Sequence, residues 1–129
     1  MRKDWEMLQL CDRFFDAFEQ RDYETVEGCY APECVVWHSH DMLYQPREEN
    51  LAMLKQGMAE HKEIRFADRR VHAFEGGFVQ QHRLYVTRAN GYTGHMDVCF
   101  VAYTRDGKLS RIYEYFDTSQ VAAFTGRAA

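Results

Sequence analysis

Residues 64–117 read IRFADRRVHAFEGGFVQQHRLYVTRANGYTGHMDVCFVAYTRDGKLSRIYEYFD. Three pairs punctuate this stretch: Gly76-Gly77, Asn90-Gly91 and Asp106-Gly107. Each accommodates the positive φ angles that close a tight hairpin. Between them stand runs rich in Val, Tyr, Phe and Thr, which suit a pleated surface. The spacing predicts four long strands, over 64–75, 78–88, 93–104 and 108–117, joined as an antiparallel meander.

Upstream the apolar period changes from two to between three and four. Asp4 is a plausible N-cap, and Met7, Cys11, Phe14 and Phe18, supported by Leu8 and Phe15, recur at helical spacing to about Gln20. Asp22 caps a short second helix through Glu27 or Gly28. Pro32 interrupts the chain, and Cys34 to His38 reads as a strand. Pro46 opens a third helix, with Glu48 and Glu49 in its positive first turn and Leu51, Leu54 and Met58 on its apolar face. That helix ends between Gly57 and His61. A closing short helix starts at Asp117-Thr118-Ser119-Gln120. Helices first and a meander second predict an α+β fold, one domain over residues 1–129, with the helices on one sheet face.

Composition narrows the function classes. The chain has 129 residues, a net charge of −4 and a pI near 5.8. The local basic clusters, Arg2-Lys3 and Arg69-Arg70, are too small for a nucleic-acid stripe. No run approaches the ~20 apolar residues of a membrane span. The N-terminus carries both signs of charge, unlike a secretory signal. Cys11, Cys29, Cys34 and Cys99 lack metal spacing and read as free thiols in a reducing, cytoplasmic compartment. Nine Phe and eight Tyr supply enough ring surface to line a cavity as well as fill a core.

The strand around Val98-Cys99-Phe100-Val101-Ala102 is apolar on both faces, so both faces want cover. Helices cover one. A second copy of the chain is predicted to cover the other, giving a homodimer packed sheet to sheet, with Tyr113 and Tyr115 on the dimer face.

Strand parity then selects polar residues for the inner face. His38 and His40 share one face at the end of the first strand. Gln80 and His82 share parity with Phe78, Leu84 and Val86. Glu114 shares parity with Ile112 and Phe116. On the strand over 93–104, His95, Asp97, Cys99 and Val101 are expected inside. Asp97, His82, His38 and Glu114 would then converge as catalytic groups. Phe14, Phe18, His40, His95, Cys99 and Phe116 would contact the substrate. Imidazole both takes and gives a proton near neutral pH, and a carboxylate among rings has its pKa raised. Each residue also has a structural alternative: a carbonyl-bonded buried histidine for His38, a solvated loop for His40, the outer face for His82, and an ion pair with Arg83 or Arg111 for Asp97. His38-Ser39-His40 has the spacing of two metal ligands, ranked below acid–base work. No metal or cofactor is expected.

Two segments carry a family resemblance. CDRFFDAFEQRDYETVEGCYAPECVVWHS resembles the opening of ketosteroid-isomerase-like proteins, with their "YA-x-x-x-x-V" strand. CFVAYTRDGKLSRIYEYFDTSQVAAF resembles the last hairpin of SnoaL-like polyketide cyclases and limonene-epoxide hydrolases, whose "DGKI…YFD" signature stands here as DGKL…YFD. The resemblance implies the fold of nuclear transport factor two, a cone-shaped curved antiparallel sheet wrapped round N-terminal helices, with a deep pocket. Carried over by position, the isomerase base becomes His38, and the isomerase oxyanion donors become Phe14 and Cys99, neither suited to that role. The hydrolase acid set keeps its last carboxylate as Glu114, while its Arg-x-Asp pair falls near His82 and Leu84. The cyclase pair corresponds to His82 and Asp97. What the resemblance implies is a cofactor-independent cyclase, isomerase or dehydratase acting on a hydrophobic small molecule. The alternatives are an epoxide hydrolase, a binding module without chemistry, or a protein-interaction domain.

Overall fold

A computed structural model describes residues 2–125. Met1 and residues 126–129, the ends of the predicted single domain, lie outside the described residues. The chain runs α1 (Arg2–Glu19), α2 (Tyr23–Gly28), β1 (Tyr30–His38), β2 (Tyr44–Pro46), α3 (Arg47–Glu60), β3 (His61–Phe74), β4 (Gly77–Arg88), β5 (Thr93–Arg105) and β6 (Lys108–Phe116). A 3-10 turn at Thr118–Gln120 leads into α4 (Val121–Thr125).

Most local signals act as expected, but α1 already begins at Arg2, so Asp4 sits within its first turn rather than at its cap. The Asp22 carboxylate accepts from the Thr25 backbone N–H and caps α2. Asp106 and Gly107 take φ values of 53° and 76°, the two left-handed residues of a tight hairpin between β5 and β6. Pro46 stands one position earlier than predicted: extended, with ψ 155°, it is the cap from which α3 leaves. The three-residue β2 is too short to leave a periodic signal.

One six-stranded sheet has the order β2-β1-β6-β5-β4-β3. The meander of β3 to β6 is antiparallel as predicted. β1 joins it beside β6 in parallel, so the curved, unclosed sheet is mixed. β1 begins at Tyr30, earlier than predicted. Its register shifts between Tyr30 and Val35, where Pro32 cannot donate to the ladder.

α1 lies across the concave face. An 18-residue helix is marginal alone in water, and tertiary packing of its apolar stripe stabilises it. Leu10, Cys11, Phe14, Phe15 and Ala17 are buried there, while Leu8 faces outward. The Phe15 ring meets Phe66 at 4.8 Å and Phe100 at 5.0 Å, edge to face. Burying one such side chain contributes about 1.5–3 kcal/mol. Trp37, Tyr44, Tyr103, Tyr113 and Tyr115 form a chain of ring contacts, and Tyr44, Tyr103 and Tyr115 are exposed. No helix of the described residues is long and apolar enough to cross a membrane.

Candidate active site

The concave face is not filled to its end. Between the rim of the sheet, α1, α3 and α4 lies a cavity of about 420 Å³. Phe14, Phe18, Phe66, Leu84, Met96 and Phe116 are among its apolar walls. Gly94 seats α4 at the edge: a Cβ there would fall 2.5 Å from the Phe124 carbonyl oxygen.

Polar groups enter this apolar space from three directions. The first is the end of β1. His38 is the parallel register partner of Glu114 on β6, so both side chains rise on the same face. His38 Nε2 stands 3.7 Å from Glu114 Oε1, just beyond hydrogen-bond range and within reach of a small rotation. The backbone braces the pair: Ser39 N–H donates to the Glu114 carbonyl at 3.0 Å, and Phe116 N–H donates to Ser39 Oγ at 3.2 Å. About 27% of the Glu114 side chain is accessible, and it lines this cavity. Burial pushes the Glu114 carboxyl up to about 7. Burial also pushes His38 down, His40 adds to that, and Asp41 opposes it. Near neutral pH the acid is therefore partly protonated, beside an imidazole that burial keeps from charging. His40 continues the series, its ring 5.7 Å from that of His38 and 5.2 Å from Phe116, with Asp41 3.5 Å away.

The second direction is β4. His82, 4% exposed, stands edge to face with Phe15 and Phe66 at 5.3 and 5.0 Å. Burial pushes its imidazole down to about 4, with the Arg69 guanidinium adding to the effect. His82 is therefore neutral at working pH. The third direction is a pair that sequence reading missed. The Tyr30 hydroxyl donates to Asn50 Oδ1 at 2.6 Å, and Asn50 Nδ2 donates to Gln45 Oε1 at 2.8 Å. Asn50 is buried on a helix otherwise polar at its neighbours Glu48 and Glu49, and no local pattern separates it from a solvated position.

Of the residues singled out from sequence, His38, His82, Glu114, Phe14, Phe18, His40 and Phe116 line this one cavity. Asp97, His95 and Cys99 do not, which corrects their expected face. Gly94, Met96, Val98, Phe100 and Ala102 are the buried set of β5, and the odd-numbered residues between them face away from α1. The cause is that β5 is apolar on both faces, so alternation cannot say which face meets the helices. Asp97 instead accepts a two-pronged bond from Arg83, at 2.8 and 3.0 Å, and a third from Gln120 Nε2 at 3.0 Å. Arg83 chiefly, and Gln120 next, hold its carboxyl down at about 2. Asp97 is 47% exposed at its side chain and clasps the segment leading into α4. His95 sits beside Tyr85, ring centroids 5.8 Å apart.

No group of three His, Cys, Asp or Glu side chains among the described residues could hold a metal ion, so His38 and His40 lack a third ligand there. Chemically, the cavity offers a carboxyl that titrates near neutrality, a free imidazole base and a second, neutral imidazole in a mostly apolar enclosure.

Comparison with known proteins agrees with this architecture. A search of curated proteins finds no match by sequence. Among solved structures, a Shewanella denitrificans protein named for its likeness to SnoaL polyketide cyclases superposes with a TM-score of 0.81 at 11% identity, covering 95% of this chain and 98% of its own. An LEH-like epoxide hydrolase from M. tuberculosis gives 0.79 at 17% identity, covering 96% and 90%. A Catenulispora acidiphila protein of ketosteroid-isomerase-like fold gives 0.77 at 10%, covering 92% and 93%. At such identities the likeness is one of fold. Residues 11–112 match the SnoaL-like domain family, and the chain belongs to that family.

Proposed function

We propose that the cavity is the active site of a small acid–base enzyme that moves a proton on an apolar small molecule, as cyclases, isomerases and dehydratases do. The observation that carries this reading is the pair of His38 and Glu114, 3.7 Å apart on adjacent strands inside an apolar cavity. Burial raises the carboxyl and lowers the imidazole, which inverts their ordinary order of proton affinity. A neighbouring acid and base whose surroundings push them apart in this way have separate roles, the imidazole as base and the carboxyl as acid. His38 removes a proton from carbon beside an electron-withdrawing group, and Glu114 delivers one elsewhere on the same molecule. The net proton balance is zero, as an isomerisation requires. Asp97, bound in its clasp with Arg83, has no part in this scheme.

The test is a panel of β-keto esters, hydroxy-enones and epoxides, with product analysis. Turnover by the wild type and its loss in both Glu114→Gln and His38→Gln is expected. A compound that binds in the cavity and is always recovered unchanged would establish a binding module instead. The same panel separates epoxide opening from proton transfer by the product.

The exposed ring surface of Tyr44, Tyr103 and Tyr115 supports packing of a second copy against the outer sheet face. Sedimentation at micromolar concentration should show a dimer, and Tyr115→Glu a monomer. Four free thiols, three of them buried, suit a reducing cytoplasm.

A further inference from the structure

Gln80 is fully buried, and a buried amide must have its bonds accounted for. Its Oε1 accepts from Arg69 Nε at 2.9 Å and from the Cys11 thiol at 3.2 Å. Its Nε2 lies 2.9 Å from His82 Nδ1. An arginine can only donate, so the amide cannot turn over without setting donor against donor. Gln80 Nε2 therefore donates to His82, and Nδ1 must be a bare acceptor. In a neutral imidazole the proton then sits on Nε2. Among the described residues, His82 makes its hydrogen bond through Nδ1, which leaves Nε2–H to the cavity the ring lines.

Arg69 itself is held in place. The register of β3 slips between Ala67 and Arg70, with Asp68 at φ 55°, and this bulge brings Arg69 to α1. There it meets Asp12 at 2.9 Å and Asp16 at 3.1 Å, across the face of the Phe15 ring. The relay runs from two surface carboxylates through a guanidinium and an amide to one imidazole.

We propose that Arg69 and Gln80 are positioning residues that lock His82 as an Nε2–H donor, and that the cavity accordingly selects molecules carrying a neutral acceptor oxygen, a ketone or ester carbonyl. This rests on the proposed acid–base function for its use in turnover: a donor on the carbonyl oxygen stabilises the enolate that forms when the neighbouring carbon loses its proton. It does not rest on it for the tautomer. The charged and titratable groups around the relay are Arg69 from β3 and Cys11, Asp12 and Asp16 from α1. The Arg69 cation opposes protonation of the ring, so the donor stays neutral through mild acid.

The test is ¹⁵N NMR of histidine-labelled, ligand-free protein between pH 5 and 8. His82 is expected to show a protonated Nε2 and a bare Nδ1 throughout. A protonated Nδ1, a tautomer mixture or an imidazolium in that range would overturn the proposal. Gln80→Glu should move the proton to Nδ1, because a carboxylate can only accept. Arg69→Met should give a mixture, because the amide is then free to turn. Acetophenone and 1-phenylethanol serve as probes. In Gln80→Glu the ketone should lose about tenfold in affinity, the worth of one hydrogen bond, while the alcohol, able to donate to a bare Nε2, holds its affinity. Equal losses for both would sink the selectivity claim. A locked tautomer with no turnover of any substrate would leave the relay standing and remove the proposed enzyme. Turnover with an unlocked ring would do the reverse.

Discussion

Glu114 and His82 should bend the stability of this protein with pH in opposite directions. Glu114 ionises at about 7 in the folded chain against an ordinary 4.5. Its raised value means that the folded state holds a proton which the unfolded chain has released. Its contribution is fully present below 4.5 and is lost as pH rises through 7. At about 1.36 kcal/mol per pH unit, that window amounts to about 3 kcal/mol. His82 takes up its proton at about 4 against an ordinary 6.5, so here the unfolded chain binds the proton first. Stability therefore rises with pH from 4 to 6.5, by about 3 kcal/mol again. His38 adds to the rise, since burial lowers it too. The wild type should look nearly flat between 4.5 and 6.5 because the two slopes offset.

Single substitutions unmask them. Glu114→Gln keeps the shape and removes the titration, so its stability should climb from pH 4 to 6.5 and stay level above. Relative to wild type it should gain about 3 kcal/mol between pH 4 and 8, a difference on the order of 10 °C in Tm. His82→Phe should show the opposite, falling from pH 4.5 to 7. Urea denaturation at four pH values reads both. A Glu114→Gln difference that stays constant from pH 4 to 8 would refute the claim that this carboxyl sits in a dry cavity, and the acid–base reading with it.

Other outcomes follow from the packing. Phe100→Ala removes the ring that Phe14, Phe15 and Phe78 all contact, and should cost about 3–5 kcal/mol in denaturant titrations. Asp97→Asn should speed amide exchange in α4 and weaken cavity binding slightly without abolishing turnover, because the Gln120 and Arg83 bonds loosen together and α4 forms part of the cavity wall. Gly94→Val should lift α4 from the cavity edge, where a side chain meets the Phe124 backbone, and weaken acetophenone binding.

Electrostatically the site works by exclusion of water rather than by accumulation of charge. Burial alone raises Glu114, and burial is the leading cause of the lowered His38 and His82. An uncharged pocket admits an apolar carbonyl compound without a charge to desolvate, and its polar groups act only where the ligand's oxygen and acidic carbon fall.

Amino-acid order alone determined the punctuation of this chain. Asp106-Gly107 must turn, since few other pairs accept left-handed φ twice. The stripe of Cys11, Phe14, Phe15 and Phe18 must find a sheet to cover. The alternation of Ile112, Glu114 and Phe116 put a carboxylate on the buried side of β6. The resemblance to SnoaL-like proteins followed from the same elements. Tertiary structure decided what short-range pattern leaves open. β5 is apolar on both faces, so only α1 settled that Val98 and Phe100 go in and Asp97 goes out. The parallel seating of β1 on β6, which brings His38 to Glu114, joins residues 76 positions apart. The bulge that swings Arg69 onto Gln80, and the meeting of Tyr30 with Asn50, depend on neighbours in space rather than in sequence. Local propensities are set by each residue and its near neighbours. Which face is buried, and which proton affinities result, depends on what the rest of the chain brings against it.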